Sequence, residues 1–261
     1  MTSWKVKQTV KKLPALKNPI LIEGLPGIGN VGKVAVDFMI EELKAKKIYE
    51  LFSYSLPHTV FVREDNLVEL PSIEFYHVKA KTKGGARDLL FLAGDIQPTT
   101  EVASYEFSET VLNLMVELKC YELIAIGGIG LQDEPQKPKV LCTGTSHKYV
   151  QEFIKGTTVS PKLYGIVGPI IGATGLLIGM AKEKNIEGVC LLAETFAHPL
   201  YLGVKGSQEV LKVLEKKLQL KMNLKALNEE IQQVEKEIMK RTDQLTQMMK
   251  KNKVTETSYI G

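Results

Sequence analysis

The sequence predicts an α/β fold: a mixed sheet flanked by helices, with a helical extension at the C-terminus. Three observations carry this. Apolar runs such as Ile20-Leu21-Ile22, Leu89–Ala93 and Val189–Ala193 alternate with amphipathic segments of helical period. Several short β segments crowd between residues 59 and 78, which sets antiparallel pairs beside parallel ones. From Leu224 onward a heptad pattern runs between polar flanks.

Taken in order, residues 4–10 alternate and predict an edge strand. The run at 20–22 leads into Glu23-Gly24-Leu25-Pro26-Gly27-Ile28-Gly29-Asn30-Val31-Gly32 and then a helix, because Val31, Val34, Ala35, Phe38, Met39 and Leu43 share one face. Strand character returns at 48–54, 59–62, 67–70 and 73–78. Residues 79–87, with Gly84-Gly85, predict a flexible basic connection. A buried strand over 88–95, a helix over about 100–119 and a strand over 121–126 follow, the last ending in Gly127-Gly128-Ile129-Gly130. Beyond an exposed loop at 132–139 come a β segment at 139–144, a helix near 146–155, a glycine-dotted buried helix over 170–184 and a final buried strand over 189–193. Ser207–Leu218 is amphipathic; the phase slips at 219–222, and Asn223 is placed to cap a new helix. The expected division is an α/β domain at 1–206, C-terminal helices at 207–252 and a flexible tail at 253–261.

Composition bounds the rest. The chain has 261 residues, a net charge of +4 and 44% hydrophobic residues, enough for a large core. That charge is small and scattered, and the cluster Lys79, Lys81, Lys83, Arg87 reads as a solvated loop, so no nucleic-acid partner is expected. Cys120, Cys142 and Cys190 lack metal-ligand spacing and read as reduced core residues, so neither a metal nor a cofactor is expected. The N-terminus shows no apolar signal region. The longest apolar stretch, 166–181, is broken by glycines and too short for a bilayer. The expectation is a soluble, cytoplasmic protein without a membrane partner.

In an open α/β sheet the carboxyl ends of strands line the ligand crevice. That places Gly27, Gly29, Asn30, Gly32, Asp95, Gly128, Gly130 and Glu194 together as a candidate ligand or docking pocket. Asp95 or Glu194 could serve there as acid or base; equally, such residues cap helices, tie loops or form a protein-docking surface. Gly27-x-Gly29-x-x-Gly32 matches a dinucleotide fingerprint, yet the acidic residue expected about 20 positions on has only Glu50, inside an apolar run. Lys33 does not make a phosphate loop, since Val34 stands where a hydroxyl is required. His58, His77, His147 and His198 occur in separate contexts, and no catalytic set is assigned.

In the C-terminal heptads, Leu224, Ile231, Ile238 and Leu245 take one seam position, and Leu227, Val234, Arg241 and Met248 the other. Such a stripe must pack on a symmetry mate, on the Ser207–Leu218 helix or on a partner.

Gly24–Gly32, Gly127-Gly128-Ile129-Gly130, Gly168-Pro169-Ile170-Ile171-Gly172-Ala173-Thr174-Gly175-Leu176-Leu177 and Gly188–Thr195 together resemble, in the same order, the proteasome assembly chaperone 2 family in its archaeal branch. The resemblance spans about residues 15–250. It implies a phosphorylase/hydrolase-like fold without an established activity, self-association into homo-oligomers, and proteasome α subunits or the α-ring as partners. Partners of that ring dock a tail ending hydrophobic–tyrosine–any; here Tyr259 and Ile260 form the corresponding tail, with tyrosine third from last. The function expected is that of a proteasome-assembly-chaperone-like binding protein. The alternative is a nucleotide- or nucleoside-binding enzyme using the strand-end pocket.

Overall fold

Strands that are apolar on both faces need cover on both faces, and the chain supplies it by wrapping helices around its central strands. The computed structural model describes residues 3–63, 66–82, 85–163, 165, 168–198 and 201–224. The elements are β1 (Trp4–Gln8), β2 (Ile20–Glu23), α1 (Val31–Glu42), β3 (Lys46–Ser53), β4 (Phe61–Val62), β5 (Val68–Glu69), β6 (Ile73–Thr82), β7 (Gly85–Gly94), α2 (Glu101–Glu117), β8 (Glu122–Leu131), β9 (Val140–Gly144), α3 (His147–Ile154), α4 (Ala173–Ala181), β10 (Glu187–Phe196) and α5 (Val204–Leu218). Eight of the described strands form one sheet in the order β1-β3-β6-β7-β2-β8-β10-β9. β7, β2, β8 and β10 run parallel in its centre. β6, β3 and β1 extend one side antiparallel, and β9 closes the other. β4 and β5 pair as a separate hairpin.

α1 and α5 cover one face and α2 and α4 the other, while α3 packs against β9 and β10. Phe107, Leu112 and Met115 of α2 and Leu177 of α4 meet Leu21, Leu90, Leu123 and Cys190 of the sheet in one buried cluster. Burying a side chain of this size contributes roughly 1.5–3 kcal/mol, so this layer is a main source of stability. Helix ends follow local rules. Thr100 caps α2 by accepting from the Ala103 amide at 3.3 Å, and Ser146 caps α3 by accepting from the Tyr149 amide at 3.2 Å. α1, α2 and α5 each end with a left-handed residue, Lys44, Lys119 and Gln219; the next amide then reaches back to Ile40, Met115 and Glu215. The left-handed Gln219 is the physical form of the phase slip at 219–222.

Three expectations are corrected. Within 79–87, the described residues are not a free connection: β6 continues to Thr82 and pairs with β7 from Lys79↔Asp88 to Thr82↔Gly85. Gly127 to Gly130 do not follow a strand but lie within β8, since β10 pairs with it as far as Phe196↔Leu131 and satisfies its backbone groups. The buried helix begins at Ala173 rather than at 170, and Ile171 is exposed.

The chain divides into two units, Met1–Met222 and Asn223–Gly261. α5 lies in the first unit, with Val210, Leu211 and Leu214 buried, although the sequence groups it with the C-terminal heptads. The second unit contributes Asn223 and Leu224 to the described residues. The seam from Leu227 through Met248 and the tail residues Tyr259 and Ile260 lie outside them. Among the described residues no helix is long and apolar enough to cross a membrane.

Candidate functional site

β2 ends in a turn that must pass close to β8, and glycine makes the approach possible. A Cβ on Gly32 would lie 2.4 Å from the Ile126 carbonyl oxygen, and one on Gly128 would lie 2.2 Å from that of Ile28. Both spacings are shorter than any side chain tolerates, so the Gly27–Gly32 turn and the middle of β8 interlock by backbone contact. Gly29 and Asn30 take left-handed φ values of 60° and 50°, and Asn30 precedes α1 without a side-chain cap bond.

On the open side of this junction lies a cleft of about 480 Å³. Its walls are Leu25, Gly27, Ile28, Val31 and Gly32 from the turn and α1, Ile126 to Gly130 from β8, Leu192 from β10, and Gly168 to Ile171 with Thr174 at the entry to α4. Gln97 completes it. Its Nε2 donates to the Pro26 carbonyl at 2.6 Å and its Oε1 accepts from the Ala173 amide at 3.1 Å, so one side chain braces the turn against the start of α4. A larger groove of about 920 Å³, lined by Lys79, Lys212, Glu215, Lys216 and Lys221 among others, contains none of the strand-end residues.

Gly27, Gly32, Gly128 and Gly130 of the expected pocket line this cleft; Gly29 and Asn30 belong to the turn but not to its lining. The two carboxylates lie elsewhere. Asp95 Oδ2 accepts from the Ser72 amide at 3.0 Å and faces Arg63 Nη2 at 3.3 Å, fixing the approach to β6. Glu194 Oε2 accepts from the Lys139 amide at 2.9 Å, anchoring the entry to β9. Side chains alternate along a strand, so proximity in sequence to a strand end does not decide which face a carboxylate serves.

The acid beside the cleft is Glu23, the last residue of β2. It is fully buried. Its Oε1 accepts from the Leu25 amide at 3.1 Å and from the Thr174 hydroxyl at 3.2 Å, whereas Oε2 has no hydrogen-bond partner. Burial pushes its carboxyl up to about 7, against the smaller opposing effects of Leu25, Thr174 and the Ile126 amide. A charged residue closing the otherwise apolar run Ile20–Ile22, immediately before Gly24, is the signal that sequence reading passed over. The cysteines are inert by comparison: all three are buried free thiols, and burial raises Cys142 to about 12. Among the described residues no group of three or more His, Cys, Asp or Glu side chains is placed to hold a metal ion.

A model of the PAC2 family matches residues 21–242. The chain belongs to the PAC2 family. This PAC2 protein is 30% identical over 236 residues to an uncharacterized protein of Methanocaldococcus jannaschii, a match covering 90% of this chain and 87% of that one. Among solved structures, Pyrococcus furiosus PbaB, an archaeal proteasome activator, is 32% identical with a TM-score of 0.82, covering 93% of this chain and 100% of that chain. Pyrococcus furiosus PbaA, an archaeal homolog of proteasome-assembly chaperone, is 24% identical with a TM-score of 0.71, over 94% and 100% of the two chains. The PbaA likeness shows the shared fold, a mixed sheet flanked by helices.

Proposed function

We propose that this PAC2 protein is a proteasome-assembly-chaperone-like binding protein that self-associates and docks on proteasome α subunits or on the assembled α-ring. The observation that carries the reading is the likeness to PbaB, at 32% identity over 93% of the chain. An accessible binding surface supports it. Tyr54, Val60, Val62, Leu67, Val68 and Leu70, on and around the β4–β5 hairpin, are all more than half exposed. The cleft does not favour the nucleotide-enzyme alternative: no Lys, Arg or His is among its lining residues to meet a phosphate. The two Pyrococcus relatives carry different roles, activator and assembly-chaperone homolog, and the higher identity to PbaB favours action on the assembled ring.

The test has two arms. Capture of α subunits from the source cell, compared with capture of assembled core particle, reports the partner; recovery of neither overturns the reading. In light scattering, Ile231→Asp with Ile238→Asp should lower the oligomer mass while circular dichroism of the α/β unit stays unchanged. An unchanged mass removes the heptad helix as the seam.

A further inference from the structure

The cleft behind the Gly27–Gly32 turn has a property that its role as a packing junction does not explain. Its walls are aliphatic: Ile28, Val31, Ile126, Ile129, Ile170 and Leu192. No charged side chain is among its lining residues. Each end of Gln97 is held by one backbone partner, which fixes the amide as a brace and leaves one N–H and one lone pair over. Thr174 is the lining side chain whose hydrogen-bonding capacity is set by a buried group, for its hydroxyl is bonded to Glu23, which stands behind it with one carboxyl oxygen unpartnered. A half-satisfied carboxyl under a cleft is costly to the fold, and such groups persist where a site uses them. While Glu23 is ionised, Thr174 donates to it and presents acceptor lone pairs to the cleft. When Glu23 is protonated, the carboxyl can donate and the Thr174 hydroxyl is released to donate outward. A site lined in this way, with a volume of about 480 Å³, falls within the range of small-molecule pockets.

We propose that this cleft binds a neutral small molecule carrying an amide-type group, with its apolar body against the aliphatic walls and its amide against the Thr174 hydroxyl. An amide offers both an N–H and a carbonyl, so it pairs with Thr174 in either state of Glu23. Anionic ligands are excluded by the same geometry, since nothing in the lining neutralises them and the ionised form of Glu23 repels them. The proposal does not depend on proteasome binding.

The experiment uses the full chain and two probes of one shape, benzamide and benzoate, read by saturation-transfer NMR at millimolar concentration. Benzamide should give signal and benzoate at least tenfold less. Two variants locate the site. Gly168→Trp adds an indole at the lining of the cleft, where a Cβ meets nothing within 4 Å and no backbone clash follows. Thr174→Val keeps the shape and removes the hydroxyl. Both should abolish the benzamide signal while circular dichroism stays native. Absence of benzamide signal in the wild type overturns the proposal, as does equal benzoate binding or a benzamide signal that survives both variants. If Gly168→Trp instead lowers the oligomer mass and the wild type takes up no benzamide, the occupant is a side chain of a second copy and the small-molecule reading fails.

Discussion

On β7 every residue from Asp88 to Gly94 is buried, whereas on neighbouring β6 the buried Ile73, Phe75 and Ala80 are interspersed with less buried Glu74, Tyr76 and Lys79. The two strands mark a division of the sheet. The parallel centre, β7-β2-β8-β10, is covered by helices on both faces and admits glycine where backbone meets backbone. The antiparallel flank carries charge along its strands, with Lys47–Glu74 at 2.7 Å, and His77 at its inner edge pairs with Asp88 of β7 at 2.6 Å. These charged groups of the flank are paired. In the centre, Glu23 is left with one oxygen unpartnered, and the cleft opens beside it. The difference teaches where tolerance to change lies: side chains of the flank reach solvent, while buried positions of the centre are hemmed in by helices and neighbouring backbone.

The largest test of this contrast is steric. Gly128→Val drives a branched side chain into the Ile28 carbonyl, 2.2 Å from the position of its Cβ, and should cost at least about 3 kcal/mol in urea unfolding. The same residue introduced at exposed Lys79 on β6 should change stability by no more than about 0.5 kcal/mol. Equal losses would mean that the two halves do not differ in tolerance.

Electrostatics gives a smaller but more specific test. The Glu23 carboxyl is raised from 4.5 to about 7 in the folded protein. Protonated Glu23 is the form the fold prefers, so its contribution is complete below the unfolded value and is lost as pH rises through about 7. Burial drives this upward shift, and the Leu25 amide, the Thr174 hydroxyl and the Ile126 amide oppose it without cancelling it. Relative to Glu23→Gln, the wild type should lose about 2–3 kcal/mol between about pH 5 and about pH 8. Parallel stability profiles for the two proteins would show that Glu23 is solvated and that the centre is not dry.

The smallest effect should ignore the division. Lys119 ends α2 and Gln219 ends α5, both at φ 54°, in a left-handed conformation that glycine adopts without a Cβ penalty. Lys119→Gly and Gln219→Gly should each stabilise by about 0.5–1 kcal/mol in thermal unfolding. A loss at either position would show that its side chain contributes more by packing than its backbone costs.

Legibility in the sequence follows the same division. The central strands were readable because runs such as Leu89–Ala93 and Val189–Ala193 have no other use than burial, and α1 and α2 because their apolar residues recur at helical spacing. The glycines of β8 misled because glycine marks turns in local statistics. Here it lies within a strand, since the neighbouring turn occupies the space a side chain would need. The basic stretch at 79–87 differs for a related reason: its composition suits a solvated loop, but Lys79 to Thr82 equally suit a strand whose partner, β7, supplies the hydrogen bonds. Of the expected pocket, four glycines line the cleft and two carboxylates do not, and the acid beside it is Glu23.

By itself the sequence determined the class of fold, the order of its elements and the family motifs, because periodicity, apolar runs and glycine spacing are properties of neighbouring residues. Only the tertiary structure decided what each strand-end carboxylate does. Asp95 meets Ser72, Glu194 meets Lys139, and Glu23 meets Thr174 across 151 positions of chain. Whether an acid is tied, solvated or buried half-satisfied depends on which distant amides and hydroxyls the fold brings to it. That is a property of packing, which no local pattern encodes.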